Sequence, residues 1–195
     1  MERSNRRWRT VDVLVASVLG VAFGVIFWAW NLLWNGPAAA VFAGFKPAAG
    51  LIYGVWLVPA VVGPLVLRKP GAAVYCELLA AIVSALLGSP WGLVTVVYGL
   101  FQGLAGEFAF AATAYRAWRL PVAIVAGALA GAAAALVDLV QFYAAWGGAW
   151  QVAYAAMVVA SAAAVAGVGG WYLTRALAGT GVLDAFPSGR ARPAV

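Results

Sequence analysis

The sequence predicts an all-α, polytopic membrane protein with six transmembrane helices and both termini in the cytosol. Composition is the first reason: 66% of residues are hydrophobic and 9% are charged, against roughly a quarter charged in a soluble domain, and mean hydropathy is +0.96. Uncharged windows are the second, several reaching about 20 residues, enough to cross a hydrocarbon core of about 30 Å. The third is the placement of the basic residues. They punctuate the apolar windows rather than forming a stripe, so the net charge of +6 reads as membrane topology and not as a nucleic-acid surface. With no His and one Cys, Cys76, the chain excludes His-based metal sites, Cys/His nucleophilic pairs and disulfides, and no cofactor or metal is expected.

Met1–Arg9 is a basic cytosolic tail. The apolar run after it is too long for a signal-peptide core and lacks a convincing cleavage site, so it reads as an uncleaved first helix, Thr10 to about Trp30. Asp12 falls at its cytosolic start. Ala16, Gly20 and Gly24 recur every four residues, a flat stripe that suits close approach of another helix, either within the chain or on a partner. Asn31–Pro47 reads as an apolar linker that lies along the outer interface or folds over a cavity as a lid. The second helix, Ala48–Leu67, contains Pro59 and Pro64, which favour a kink.

Arg68 and Lys69 end that helix, and Pro70 suits the first turn of the next. The third helix is Gly71–Leu87, the fourth Trp91–Tyr115, and a Gly-Ser-Pro turn at Gly88–Pro90 joins them. Arg116 and Arg119 precede the fifth, Leu120 to about Tyr143. Trp146–Trp150 forms a turn with tryptophans placed as interface anchors. The sixth helix is Gln151–Leu173, ending at Arg175. Residues 1–175 thus form one transmembrane domain, and 176–195, without an apolar period, read as a cytosolic tail compatible with disorder. With this plan eleven of the twelve basic residues are cytosolic and only Lys46 lies outside, as the positive-inside rule requires.

Polar groups inside the apolar runs mark where function sits, because a buried carboxylate is costly in a bilayer. A rise of about 1.5 Å per residue puts Glu77 roughly 10 Å and Ser84 roughly 20 Å above the cytosolic boundary. The same count puts Glu107 at roughly 13 Å, Gln102 at roughly 20 Å and Asp138 at roughly 27 Å. Glu77 and Ser84 share a face of the third helix, and Tyr98 and Gln102 share a face of the fourth. These groups suggest a cavity open to the outside whose candidate ligand contacts are Asn31, Trp34, Glu77, Ser84, Trp91, Tyr98, Gln102, Asp138, Gln141, Trp150 and Tyr154. An aromatic wall with an anion suits a flat, partly cationic heteroaromatic ligand. Glu77, Glu107 and Asp138 also have a structural reading as helix–helix hydrogen bonders, and Gln102 as interhelical glue. No nucleophile–base motif, metal cluster or phosphate loop accompanies the carboxylates, so the chain is not expected to be an enzyme or its own ATPase.

The runs RKPGAA at Arg68–Ala73, LLGSPWG at Leu86–Gly92 and YGLFQGLAGEFAFA at Tyr98–Ala111, together with Glu77, resemble the YkoE family. These are S components of energy-coupling factor (ECF) transporters linked to thiamine or its hydroxymethylpyrimidine precursor. The resemblance spans nearly the whole chain and is most specific in this hairpin. It implies a vitamin-capture subunit in a prokaryotic plasma membrane. Its partners would be a transmembrane coupling protein, docked through Ala16, Gly20 and Gly24, and two cytosolic ATPases. Ligand would enter from outside, beneath Asn31–Pro47. Where the family pattern implies a second acidic residue, this chain has Ser84, and Asp138 is placed to supply that charge. Two alternatives stand beside this function: a stand-alone proton-coupled carrier with Glu77 and Glu107 as relay, and a membrane scaffold with structural carboxylates.

Overall fold

The computed structural model describes residues 7–190, so the expected tails are outside the described residues at 1–6 and 191–195. The described residues form an all-helical bundle of six long segments: α1 Thr10–Val41, α2 Lys46–Leu67, α3 Ala72–Leu86, α4 Val94–Ala112, α5 Leu120–Gln141 and α6 Gly148–Gly179. A seventh helix, α7, is the single turn Pro187–Arg190. Five of the long segments are long and apolar enough to span a membrane. The 15-residue α3 rises only about 22 Å. Large apolar side chains face outward, including Leu14, Val18, Leu93, Phe108, Leu136, Val140 and Val152. Surrounded by water they would be a severe liability; surrounded by lipid they are the expected surface.

Helix α2 is the axis of the bundle. Every residue from Val58 to Leu67 is buried. Its first half, Lys46–Leu57, is a 3-10 helix, and Pro59 sits where the wider α-helix takes over. Ser161 of α6 holds the tight half. Its hydroxyl donates to the Leu51 carbonyl at 2.7 Å and accepts the Gly54 N–H at 3.0 Å.

Small residues set the other crossings. A Cβ on Gly99 of α4 would lie 2.4 Å from the Ala81 Cβ of α3, and one on Gly127 of α5 would lie 2.5 Å from the Ala162 carbonyl oxygen of α6. Backbones this close are the membrane counterpart of a packed core.

Three expectations need correction. The linker Asn31–Pro47 is mostly helix: α1 runs on to Val41, widening to a π-helix over Trp34–Ala38. Pro37 lies inside that bulge and has no N–H for the carbonyl four residues back, so the ladder reopens around it. Only residues 42–45 join α1 to α2, too few for a lid.

The stripe Ala16, Gly20 and Gly24 is not a free docking surface, because α3 already occupies it. A Cβ on Gly20 would meet Leu79, one on Gly24 would meet Val83, and Ala16 is fully buried.

The sixth segment starts three residues earlier than expected and passes Arg175 to end at Gly179. After it, Leu183 and Phe186 pack into the core and the Ser188 hydroxyl donates to the Val66 carbonyl at 2.9 Å. The chain through Arg190 is therefore packed rather than a loose tail.

Asp12 behaves as a terminal group. It is buried at the start of α1, pairs with Arg9 at 2.7 Å and approaches Lys69 at 3.7 Å. Its hydrogen bond also raises the Arg9 guanidinium above its ordinary value.

Candidate functional site

At the opposite end of the bundle from Arg9 and Lys69, the helices part around a cavity of about 290 Å³. The ends of α1, α3 and α5, the start of α4, the 3-10 half of α2 and the start of α6 all contribute to it. Its floor is polar and its wall aromatic.

The wall follows from 3-10 geometry. With three residues per turn, Tyr53 and Trp56 eclipse and point the same way. Their rings meet at 5.0 Å. Trp34 from the α1 bulge packs against both, at 5.8 and 4.9 Å, and Trp91 closes on Trp56 at 5.8 Å. Across the cavity Tyr98 stacks on Phe142 at 6.4 Å, and Tyr143 lies edge-on to Tyr154 at 4.9 Å.

The polar groups are satisfied in two sets. Asn31 of α1 donates from Nδ2 to the Ser84 hydroxyl at 3.1 Å and accepts the Trp56 indole N–H on Oδ1 at 3.0 Å. One side chain thus fixes both a tryptophan rotamer and a serine. In the second set Asp138 of α5 accepts the Tyr98 hydroxyl on Oδ1 and the Tyr154 hydroxyl on Oδ2, both at 2.6 Å. The Tyr53 hydroxyl lines the same cavity and accepts from Gln102 Nε2 at 3.5 Å. Asp138 is the one carboxylate among the lining residues, and no Lys or Arg lines the cavity. The cavity therefore favours a cation, and its π-faces reinforce that preference.

The family model described as "ABC-type cobalt transport system, permease component" matches residues 11–133, and the chain is a member of it. YkoE of Bacillus subtilis (strain 168), provisionally named an HMP/thiamine permease protein, is 35% identical over 188 residues, covering 95% of this chain and 92% of the relative. A crystal structure of an S component of an ECF transporter superposes with a TM-score of 0.88 at 33% identity, covering 94% of this chain and 92% of that one. The chain belongs to the YkoE family of S components. It is a substrate-binding membrane subunit of the ECF type, with the six-segment helical architecture described above.

In this YkoE-family chain, eight of the residues expected from sequence line the cavity: Asn31, Trp34, Ser84, Trp91, Tyr98, Gln102, Asp138 and Tyr154. Three do not. Glu77 is fully buried one turn below Ala81 and accepts the Ala60 N–H at 2.9 Å. It thereby caps the α-helical half of α2, beside Pro59. Gln141 is exposed; Gln151 instead ties down the following loop by donating to the Tyr143 carbonyl at 3.1 Å. Trp150 packs outside the cavity, against Phe45 and Trp146 at 5.7 and 5.6 Å. Glu107, whose structural and functional readings were both open, is a cap. Its two oxygens accept the Gly71 and Ala73 N–H groups at 2.6 and 2.9 Å, at the positive end of α3.

Sequence reasoning missed Phe27, Asn35, Tyr53, Trp56, Thr95, Phe142 and Tyr143. Tyr53 and Trp56 carried a signal, since they are three apart and share a face in an α-helix, and the 3-10 form brings them into full eclipse.

Proposed function

We propose that this subunit captures thiamine or its hydroxymethylpyrimidine precursor from the outer face of a prokaryotic plasma membrane. A transmembrane coupling protein and two cytosolic ATPases would drive its release, and both termini would lie in the cytosol. The observation that carries the proposal is Asp138, a lone carboxylate among Tyr53, Tyr98 and Tyr154 at the edge of a tryptophan-lined cavity. Thiamine combines a neutral aminopyrimidine with a fixed thiazolium charge. The π-faces of Trp34, Trp56 and Trp91 suit the flat rings, and the carboxylate suits the charge. At about 290 Å³ the cavity is near the lower end of the usual range of about 300–1,000 Å³ for small-ligand sites. Asn31, Ser84 and Gln102 offer hydrogen bonds to the pyrimidine. Glu77 and Trp150 support the site from behind rather than touching ligand.

A cobalt cargo, as in the family model's description, is disfavoured by donor chemistry. The chain has no His, and among the described residues no group of three His, Cys, Asp or Glu is placed to hold a metal. A proton relay through Glu107 is disfavoured too, since both of its oxygens are committed to backbone N–H groups.

Titrating the purified protein with thiamine and with the pyrimidine, read by tryptophan fluorescence, tests the substrate. Binding of either supports it, and binding of neither by a folded protein rejects it. Uptake into liposomes by this chain without partners would reject the S-component mechanism.

A further inference from the structure

Among the described residues, two buried side-chain polar atoms have no hydrogen-bond partner: Glu77 Oε1 and Arg68 Nε. Such orphans are rare enough to need a reason. The second one opens a question away from the vitamin cavity. Arg68 ends α2 in the left-handed conformation, φ 52°, where glycine is usual. Its side chain lines a small second cavity of about 60 Å³, walled by Trp118 and Trp171 and bounded by Arg175. This cavity is at the Arg9 and Lys69 end of the bundle.

The hydroxyl donors there are spent within the fold, and Arg68 Nε is not. The Thr174 hydroxyl donates to the Gly170 carbonyl and the Ser188 hydroxyl to the Val66 carbonyl, which leaves the two guanidiniums to face the space. Both ion pairs found among the described residues involve Asp12, and neither includes Arg68 or Arg175. Burial alone pulls the Arg68 guanidinium below its ordinary value, with no acidic neighbour to offset it. At about 60 Å³ against about 290 Å³ for the vitamin cavity, the volume suits one compact polar group rather than a whole metabolite. Beside Arg175, Tyr172 and Leu173 are exposed, so an apolar surface adjoins the basic pocket. Paired arginines favour a tetrahedral anion through their forked N–H groups. Basic pockets between transmembrane helices, flanked by interfacial Trp, are where charged headgroups seat.

We propose that this pocket seats the phosphate of an anionic membrane lipid, held by Arg68 and Arg175, with the acyl chains running along Tyr172 and Leu173. The site is separate from the vitamin cavity and does not depend on the substrate assignment.

The test uses the full chain in detergent, with short-chain phosphatidylglycerol, the matching diacylglycerol and inorganic phosphate as probes, read by native mass spectrometry and thermal melting. Phosphatidylglycerol should remain bound and raise the melting temperature, while diacylglycerol and phosphate should do neither. R175Q, at an exposed position, should weaken phosphatidylglycerol binding about tenfold without lowering the lipid-free melting temperature, and R175K should restore part of it. R68Q should act in the same direction. Equal binding of phosphatidylglycerol and diacylglycerol, or unchanged binding in R175Q, would overturn the proposal. Stabilisation by inorganic phosphate matching that of phosphatidylglycerol would overturn the lipid as its source.

Discussion

Asp138 receives the Tyr154 hydroxyl at 2.6 Å across the α5–α6 crossing. The Tyr98 hydroxyl occupies its other oxygen at the same distance. Each carboxylate oxygen has a second lone pair, so the group can hold its tyrosines and still face a cation. D138N keeps the shape and removes the charge. Charge-assisted contacts are worth about 1.5–3 kcal/mol, so thiamine affinity should fall roughly ten- to a hundredfold. Affinity for the uncharged pyrimidine should change far less. Calorimetric titration of both ligands checks this, and parallel losses for the two would show that Asp138 acts only on structure.

Glu107 is the contrasting carboxylate. It neutralises two N–H groups that the first turn of α3 cannot satisfy itself. E107A leaves both without an acceptor, at about 1–3 kcal/mol each, so the melting temperature in detergent should fall sharply. E107Q retains one acceptor and should fall less. In both variants the protein that remains folded should bind ligand with wild-type affinity. A ligand defect in E107Q at unchanged stability would reinstate the relay role for this residue.

The two carboxylates show what sequence conveys about this fold. Segment positions were legible because hydrophobic windows and basic punctuation report the bilayer directly. Height was legible too: residue counting puts Ser84, Gln102 and Asp138 above the level of Glu77 and Glu107, and all three line one cavity in the structure. Azimuth was harder. Glu77 and Ser84 are two turns apart on one face, yet that shared face does not make a shared site: Ser84 reaches the cavity while Glu77, two turns deeper, meets the Ala60 amide. Local helix type was not legible at all. The 3-10 half of α2 turns Tyr53 and Trp56 inward, and the Pro37 bulge carries α1 past Trp34. The 3-10 half is held by a contact with another segment, Ser161, that no local pattern encodes, and the bulge at Pro37 is one of several outcomes that a proline inside a helix permits.

Gly24 illustrates a crossing with no slack. A Cβ there would lie 2.5 Å from the Val83 Cβ and 2.9 Å from the Ala80 carbonyl oxygen. G24A must push α1 and α3 apart, which should cost about 1–3 kcal/mol. V83A in the same chain should recover only a small part of that loss, because it removes the Val83 Cγ1 at 2.6 Å but keeps the Cβ at 2.5 Å. Melting temperatures of the two single variants and the double variant form the cycle. Strict additivity would deny the contact. A variant that melts like wild type but no longer associates with a coupling protein would return the stripe to partner docking.

Ser84 is where the choice between ligands is most open to change. It is fully buried, accepts from Asn31 Nδ2 and lines the cavity with Asp138. S84D places a second carboxylate on the wall, with the Asn31 amide already directed at it as a donor. Two like charges raise the cost of the empty site, so the unliganded protein should melt at a lower temperature. A cation offsets that repulsion and a neutral ring does not. At an effective dielectric of about 20, one added charge roughly 6 Å from a thiazolium contributes on the order of 2–3 kcal/mol before desolvation is subtracted. The ratio of thiamine to pyrimidine affinity should therefore rise, by about tenfold if half of that term survives. Competition binding with both ligands on wild type and S84D measures the ratio directly. A ratio that stays constant would place the thiazolium away from the Asn31–Ser84 side and leave Asp138 as the only charge that reads it.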